Sequence, residues 1–373
     1  MSQSSHPTAT GSLSDRSPLS NPGQSDPASF NESQGSKRLY LPGFDYLRVF
    51  FMVSVIAGHV NLIIGLAGQR AGVIGPGPNF WDHFYFDVQS TAVPCFILIS
   101  TLLFCVKPVT WESTLKRLTK LGYLYIFWVS AWIVHSKPIL KPGVLGLIEL
   151  TLRGGGWLFY FIAVLIVMTL LTAGISVLKG RWRLLGCAFS VGAFLATVLW
   201  VSHDYHWTRG QYYWLPTCFA LLPCFALWLA PRMGSLIEDR SARWRLAAGL
   251  LACGVVAALV EWHFATPASL IEETRKWVPK HARFSISFNA AMIVVLSLGI
   301  RCKPGRIVSF LGRNALGIYC LHGFIVGGVV KGVGLVLGGR LPALVIPLGI
   351  VATVCVCAVG AEFLRRAFRE RLI

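Results

Sequence analysis

The sequence predicts an all-α protein, a polytopic transmembrane helical bundle of about ten membrane helices with cytosolic N- and C-termini. Three observations carry that expectation. Of 373 residues, 54% are hydrophobic and 13% charged, against roughly 45–50% and 25% in soluble chains. Mean hydropathy is +0.62. Apolar runs of about twenty residues recur along the chain, the length a helix needs to cross the hydrocarbon core of a bilayer. The same composition excludes a disordered, collagen-like or disulfide-scaffold protein.

Residues 1–36 are rich in Ser, Pro, Asn and Gly. They lack apolar periodicity and the apolar core of a signal peptide, so they read as a disordered cytosolic tail ahead of a membrane domain over 37–373. Ten spans are expected at about 44–64, 87–106, 121–136, 155–177, 184–202, 212–230, 246–264, 284–300, 308–330 and 341–363. The third is short, and Gly327, Gly328, Gly332 and Gly334 are placed to break the ninth. No tandem repeat and no matched pair of interrupted spans occurs, which disfavours a secondary transporter.

The net charge is +18, from 34 Lys and Arg against 16 Asp and Glu. On a soluble domain it would suggest nucleic acid, but no basic run is interleaved with exposed aromatics, and no nucleic-acid partner is expected. Helix orientation explains the excess. With the N-terminus inside, 21 of the 34 basic residues fall on the cytosolic side and 11 in outer loops, as the positive-inside rule requires. The ten cysteines lie in or beside apolar runs and read as small core residues. No CxxC pair or Cys/His cluster has zinc spacing, so no metal is expected.

An ionisable side chain at the centre of a membrane helix costs roughly 2.5–3.5 kcal/mol, so each needs a partner or a purpose. The first span has three: after Pro42, suited to a helix start, come Asp45, Arg48 and His59. Eleven residues of helix turn to within about 20° of the starting direction and rise about 16.5 Å, which puts Arg48 and His59 on one face. Asp45 is placed to hold Arg48 by an i,i+3 pair. A cation near the cytosolic surface and an imidazole near mid-membrane suit an extended ligand with an anionic head and a reactive end, such as a coenzyme A thioester. His59 could then act as general base on a hydroxyl. The competing account is a hydrogen-bonded interior histidine and a snorkelling arginine.

Four segments together resemble the acyltransferase 3 family of integral membrane O-acyltransferases. Phe44 to His59 is similar to the family's first helix, whose signature is an Arg and a His separated by ten residues, here Arg48 and His59. Val93-Pro-Cys-Phe-Ile-Leu-Ile-Ser100 resembles its second helix, and Lys116-Arg117 with Lys120 its basic stretch before the third. Leu311-Gly-Arg-Asn-Ala-Leu-Gly-Ile-Tyr-Cys-Leu-His322 resembles its late Tyr-x-x-His helix. The four run in order across about residues 41–363; Thr101 departs from the pattern, because the family usually carries Gly after the Ser.

The resemblance implies transfer of an acetyl or succinyl-like group in the bacterial inner membrane. The donor would be cytosolic acyl-CoA, with acetyl-CoA expected, and the acceptor a hydroxyl of an exported polysaccharide or its lipid-linked precursor. Catalytic roles fall to His59, Arg48 and Asp45, CoA-phosphate contacts to Lys116, Arg117 and Lys120, and supporting roles to Ser100, Tyr319 and His322. Insertion signalling explains the three basic residues equally. A transporter or flippase of a glycan or lipid precursor, using Arg48 and His59 as substrate or proton-relay groups, is the alternative, and a non-catalytic sensor or scaffold a third reading.

Trp81 to Asp87 and His203 to Trp207 read as interfacial aromatic belts rather than sugar platforms. Trp157 to Tyr160 reads as packing, and Glu149 and Glu261 as solvated helix ends.

Overall fold

In a bilayer, backbone groups find no water, so apolar runs must close their hydrogen bonds internally as helices. A computed structural model of the protein describes residues 40–70, 89–136, 159–203, 215–264, 282–337 and 342–368. No strand occurs among them. In chain order the helices are α1 (Pro42–Arg70), α2 (Ala92–Cys105), α3 (Trp111–Ser136), α4 (Tyr160–Val177) and α5 (Arg181–His203). A 3-10 turn, Pro216–Phe219, leads into α6 (Leu221–Leu229), followed by α7 (Met233–Glu238), α8 (Arg240–Phe264), α9 (Phe284–Ser297), α10 (Arg306–Leu337) and α11 (Pro342–Ala367).

Among the described residues, helix overlaps each expected span, and seven segments are long and apolar enough to cross a membrane. The remainder differ for physical reasons. At 14 residues each, α2 and α9 rise about 21 Å, less than the ~30 Å hydrocarbon core. The third span begins ten residues before its expected start. Thr110 and Ser113 cap α3 reciprocally, each backbone N–H donating to the other's hydroxyl at 3.0 and 3.1 Å. The basic stretch at 116–120 therefore stands on a helix, not in the preceding loop. The break expected at Gly327, Gly328, Gly332 and Gly334 does not occur. One continuous helix runs through all four, because a glycine in a membrane helix still closes its backbone bonds.

Two apolar clusters, with a third, minor one of Phe194, Ala220 and Leu221, build the core among the described residues. The larger surrounds α2, which buries residues on every side and joins α3, α4, α6 and α9. The smaller binds α1 (Met52, Ile56, Val60), α10 (Ala315, Ile318, Val326, Val330) and α11 (Cys357, Ala358, Ala361). Phe96 and Leu321 pack against both clusters. Thr101 is buried, and its hydroxyl donates to Ile97 O at 2.7 Å, so the departure from Gly is absorbed within α2. By contrast α5 and α8 expose large apolar side chains, among them Phe189 and Leu259, as lipid-facing helices do.

The start of α1 is fixed by one close approach. A Cβ on Gly43 would fall well inside van der Waals distance of the Ser297 carbonyl oxygen at the end of α9. Backbone cannot yield as a flexible side chain can, so Gly43→Ala should cost about 1–3 kcal/mol, read as a lower midpoint for thermal unfolding in detergent. Gly122→Ala, where a Cβ meets nothing within 4 Å, should leave the midpoint unchanged or higher.

Candidate active site

Asp45 and Arg48 stand one turn apart near the start of α1. Arg48 Nη1 donates to Asp45 Oδ1 at 3.0 Å, the pair that an i,i+3 spacing favours. Gly312 of α10 sits directly against Asp45, where a Cβ would lie 3.3 Å from that residue's own Cβ. The missing side chain lets α10 approach, and Arg48, Gly312 and Arg313 become one wall of a cavity of about 420 Å³. Its volume lies within the roughly 300–1,000 Å³ of small-molecule sites. Ser100 on α2, Arg117 and Lys120 on α3, Leu165 on α4 and Tyr319 on α10 form the rest of the enclosure.

Arg117 is the most constrained of the cations. Its Nε donates to Thr169 Oγ1 at 2.9 Å, its Nη2 to Ser100 Oγ at 2.8 Å, and its guanidinium lies 4.9 Å over the Phe104 ring. Thr169 Oγ1 in turn donates to Leu165 O at 2.7 Å. No carboxylate pairs with Arg117 among the described residues. The lining holds four cations, Arg48, Arg117, Lys120 and Arg313; Asp45 offsets Arg48, and the remaining positive charge makes the cavity attractive to an anion. Lys116, expected with this group, is exposed and does not line the cavity.

At the inner wall, the Tyr319 ring meets Phe161 edge-on at 4.3 Å and Phe96 at 6.4 Å between centroids. His322 lies 5.3 Å from Tyr319, and His59 of α1 lies 5.1 Å from His322. The structure thus brings together both histidines singled out in the sequence, on helices more than 260 residues apart in the chain. His322 is fully buried, with Nδ1 bonded to the Tyr319 backbone carbonyl. A carbonyl only accepts, so Nδ1 carries the hydrogen and Nε2 the lone pair. That Nε2 has no hydrogen-bond partner among the described residues.

Two further residues, Arg313 in the cavity wall and Thr169 behind Arg117, were not candidates from sequence. A threonine in an apolar helix by default bonds its own i−4 carbonyl, and Arg313 reads as an orienting charge.

Glu261 is not a solvated helix end. It is buried and accepts from Arg283 Nε at 3.1 Å, from the Ser285 backbone N–H at 3.1 Å and from the Ser285 hydroxyl, tying α8 to α9. Phe159 and Tyr160 are packed as expected, Phe159 stacking on Trp128 at 6.0 Å. Trp157, Glu149 and the loops at 81–87 and 204–207 lie outside the described residues. All ten cysteines are free. No group of three His, Cys, Asp or Glu could hold a metal among the described residues.

A family model described as an acyltransferase domain, that of acyltransferase 3, matches residues 41–362. Neither the comparison with curated proteins nor that with solved structures gives a match.

Removing one partner of a buried ion pair leaves a charge uncompensated, so Glu261→Ala should destabilise the protein by roughly 3–5 kcal/mol. Adding Arg283→Met should recover part of that loss. Unfolding midpoints of the two purified variants check both statements.

Proposed function

The chain belongs to the acyltransferase 3 family, and on that premise we propose that it moves an acetyl or succinyl-like group from cytosolic acyl-CoA to a glycan hydroxyl. The acceptor is an exported polysaccharide or its lipid-linked precursor. The protein is an acyl-transferring enzyme with several membrane-spanning helices; we place it in the bacterial inner membrane with the Arg48 end toward the cytosol. One observation carries the reading: a cavity lined by four cations, of which Arg48 is paired with Asp45 and Arg117 is held by hydroxyls, and whose wall residue Tyr319 touches the His322–His59 pair.

Arg48, Arg117, Lys120 and Arg313 hold the CoA phosphates by charge and hydrogen bonding, which fixes the thioester inward. Lys116 contributes to capture outside the cavity. His59 takes the proton of the acceptor hydroxyl as its oxygen bonds to the thioester carbonyl carbon. The carbon–sulfur bond then breaks, its electron pair leaves on sulfur, and the proton returned by His59 gives free CoA thiol. Ser100 supports the reaction by holding Arg117.

Purified protein supplied with acetyl-CoA and de-esterified polysaccharide should release CoA thiol and form an ester, whereas a transporter would do neither. His59→Ala should lower kcat by about 100-fold or more, and a folded variant at the parent rate would remove the base assignment. Arg117→Ala should raise KM for acyl-CoA roughly 10- to 100-fold, the worth of one charge-assisted hydrogen bond. Thr169→Val, which keeps the charge but loses one of its two holders, should raise it less.

A further inference from the structure

His322 has no part in the steps above, yet its placement is specific. Its ring is completely buried, its Nδ1 hydrogen is committed to the Tyr319 carbonyl, and its Nε2 lone pair has no partner among the described residues. A buried acceptor left unmet costs free energy. The His59 ring stands 5.1 Å away, tilted by 40°, too near for a substrate atom to lie between the rings. Two imidazoles joined by one N–H···N hydrogen bond of about 3 Å have ring centroids about 5 Å apart, which is the separation found here.

We propose that His322 is a positioning residue that acts through His59: its Nε2 accepts a hydrogen bond from His59 when that imidazole is protonated. The Tyr319 carbonyl sets the tautomer, since with Nδ1–H committed to it only Nε2 can accept. The proton balance is complete. The acceptor hydroxyl gives its proton to one nitrogen of His59, the N–H on the other nitrogen points to His322 Nε2, and the first proton passes to the departing thiolate. His322 gains and loses no proton. Of the helices around the pair, α2 and α4 have no Asp, Glu, Lys, Arg or His, and α11 carries its charges only from Glu362 onward; α3 brings His135, whose ring lies 5.2 Å from that of Phe324, and the cavity brings Arg48, Arg117, Lys120 and Arg313.

The inference rests on His59 being the base, and the test separates the two. Asn314 of the same helix shows that an asparagine on α10 can donate to a backbone carbonyl one turn back, its Nδ2 bonding Phe310 O at 3.0 Å. His322→Asn therefore keeps both a donor for the carbonyl and an acceptor for His59, whereas His322→Leu removes both. In the CoA-release assay, His322→Leu should lower kcat roughly 10- to 100-fold, one hydrogen bond to a charged group, with KM for acyl-CoA unchanged. His322→Asn should recover most of that loss. In a His59→Ala background, His322→Leu should have no further effect.

A His322→Leu protein at the parent kcat, a folded His322→Asn protein as impaired as His322→Leu, or an undiminished effect without His59 overturns the inference alone. Should His322→Leu not assemble, folded His322→Asn decides: kcat within about tenfold of the parent supports the inference, and a larger loss overturns it. A parent protein that releases no CoA, or His59→Ala at full rate, overturns the functional reading and this inference with it.

Discussion

The site depends on α1 and α10 lying against each other along their length. Gly312 admits Asp45 at one end of the contact, and Met52, Ile56 and Val60 interleave with Ala315, Ile318 and Val330 beyond it. A helix repeats its direction every eleven residues, so one seam carries both Arg48 and His59. Packing that seam onto α10 places Arg48 beside Arg313 in the cavity wall and His59 beside His322. A bulkier residue at 312 would push apart the two ends of the site together.

Charges in this bundle are treated in two ways. Some are neutralised by carboxylates: Glu362 accepts from Arg365 at 2.8 and 3.0 Å, from Arg366 at 2.7 Å and from Asn314 at 3.2 Å, Glu261 serves Arg283, and Asp45 holds Arg48 of the cavity wall. At the cavity, Arg117 is held by the hydroxyls of Ser100 and Thr169, which orient the guanidinium without cancelling its charge. Hydroxyls supply geometry at little electrostatic cost, so the positive field stays available to a ligand. Burial in a low-dielectric surrounding makes that field stronger than it would be in water.

Much of the fold and part of the site were legible in the sequence. Helix periodicity placed Asp45 against Arg48 and put His59 on the same stripe, because those relations lie within one regular element. The reach of α3 was not legible, since its first turns are polar and apolar periodicity starts only after Lys120. Nor was the difference between Lys116 and Arg117. Adjacent residues on a helix point about 100° apart, and only the position of α2 and α4 decides which one meets Ser100 and Thr169. The partners of Glu261, Arg283 and Ser285, lie more than twenty residues on, at the start of α9, beyond the reach of helix periodicity.

The sequence by itself determined that the chain is helical and membrane-spanning, that it belongs with acyl-transferring enzymes, and that one helix carries a cation and an imidazole in line. The helices and the aligned pair follow from composition, length and a 3.6-residue period, all local properties, whereas the enzyme class rests on likeness to the family over residues 41–362. Only the tertiary structure decided which cations face a common cavity, that the two histidines are neighbours, and that the buried His322 presents a lone pair. Those relations depend on how helices distant in sequence pack. Packing is set by where side chains are small enough to permit contact, as at Gly43 and Gly312, and no periodicity along a single helix encodes that.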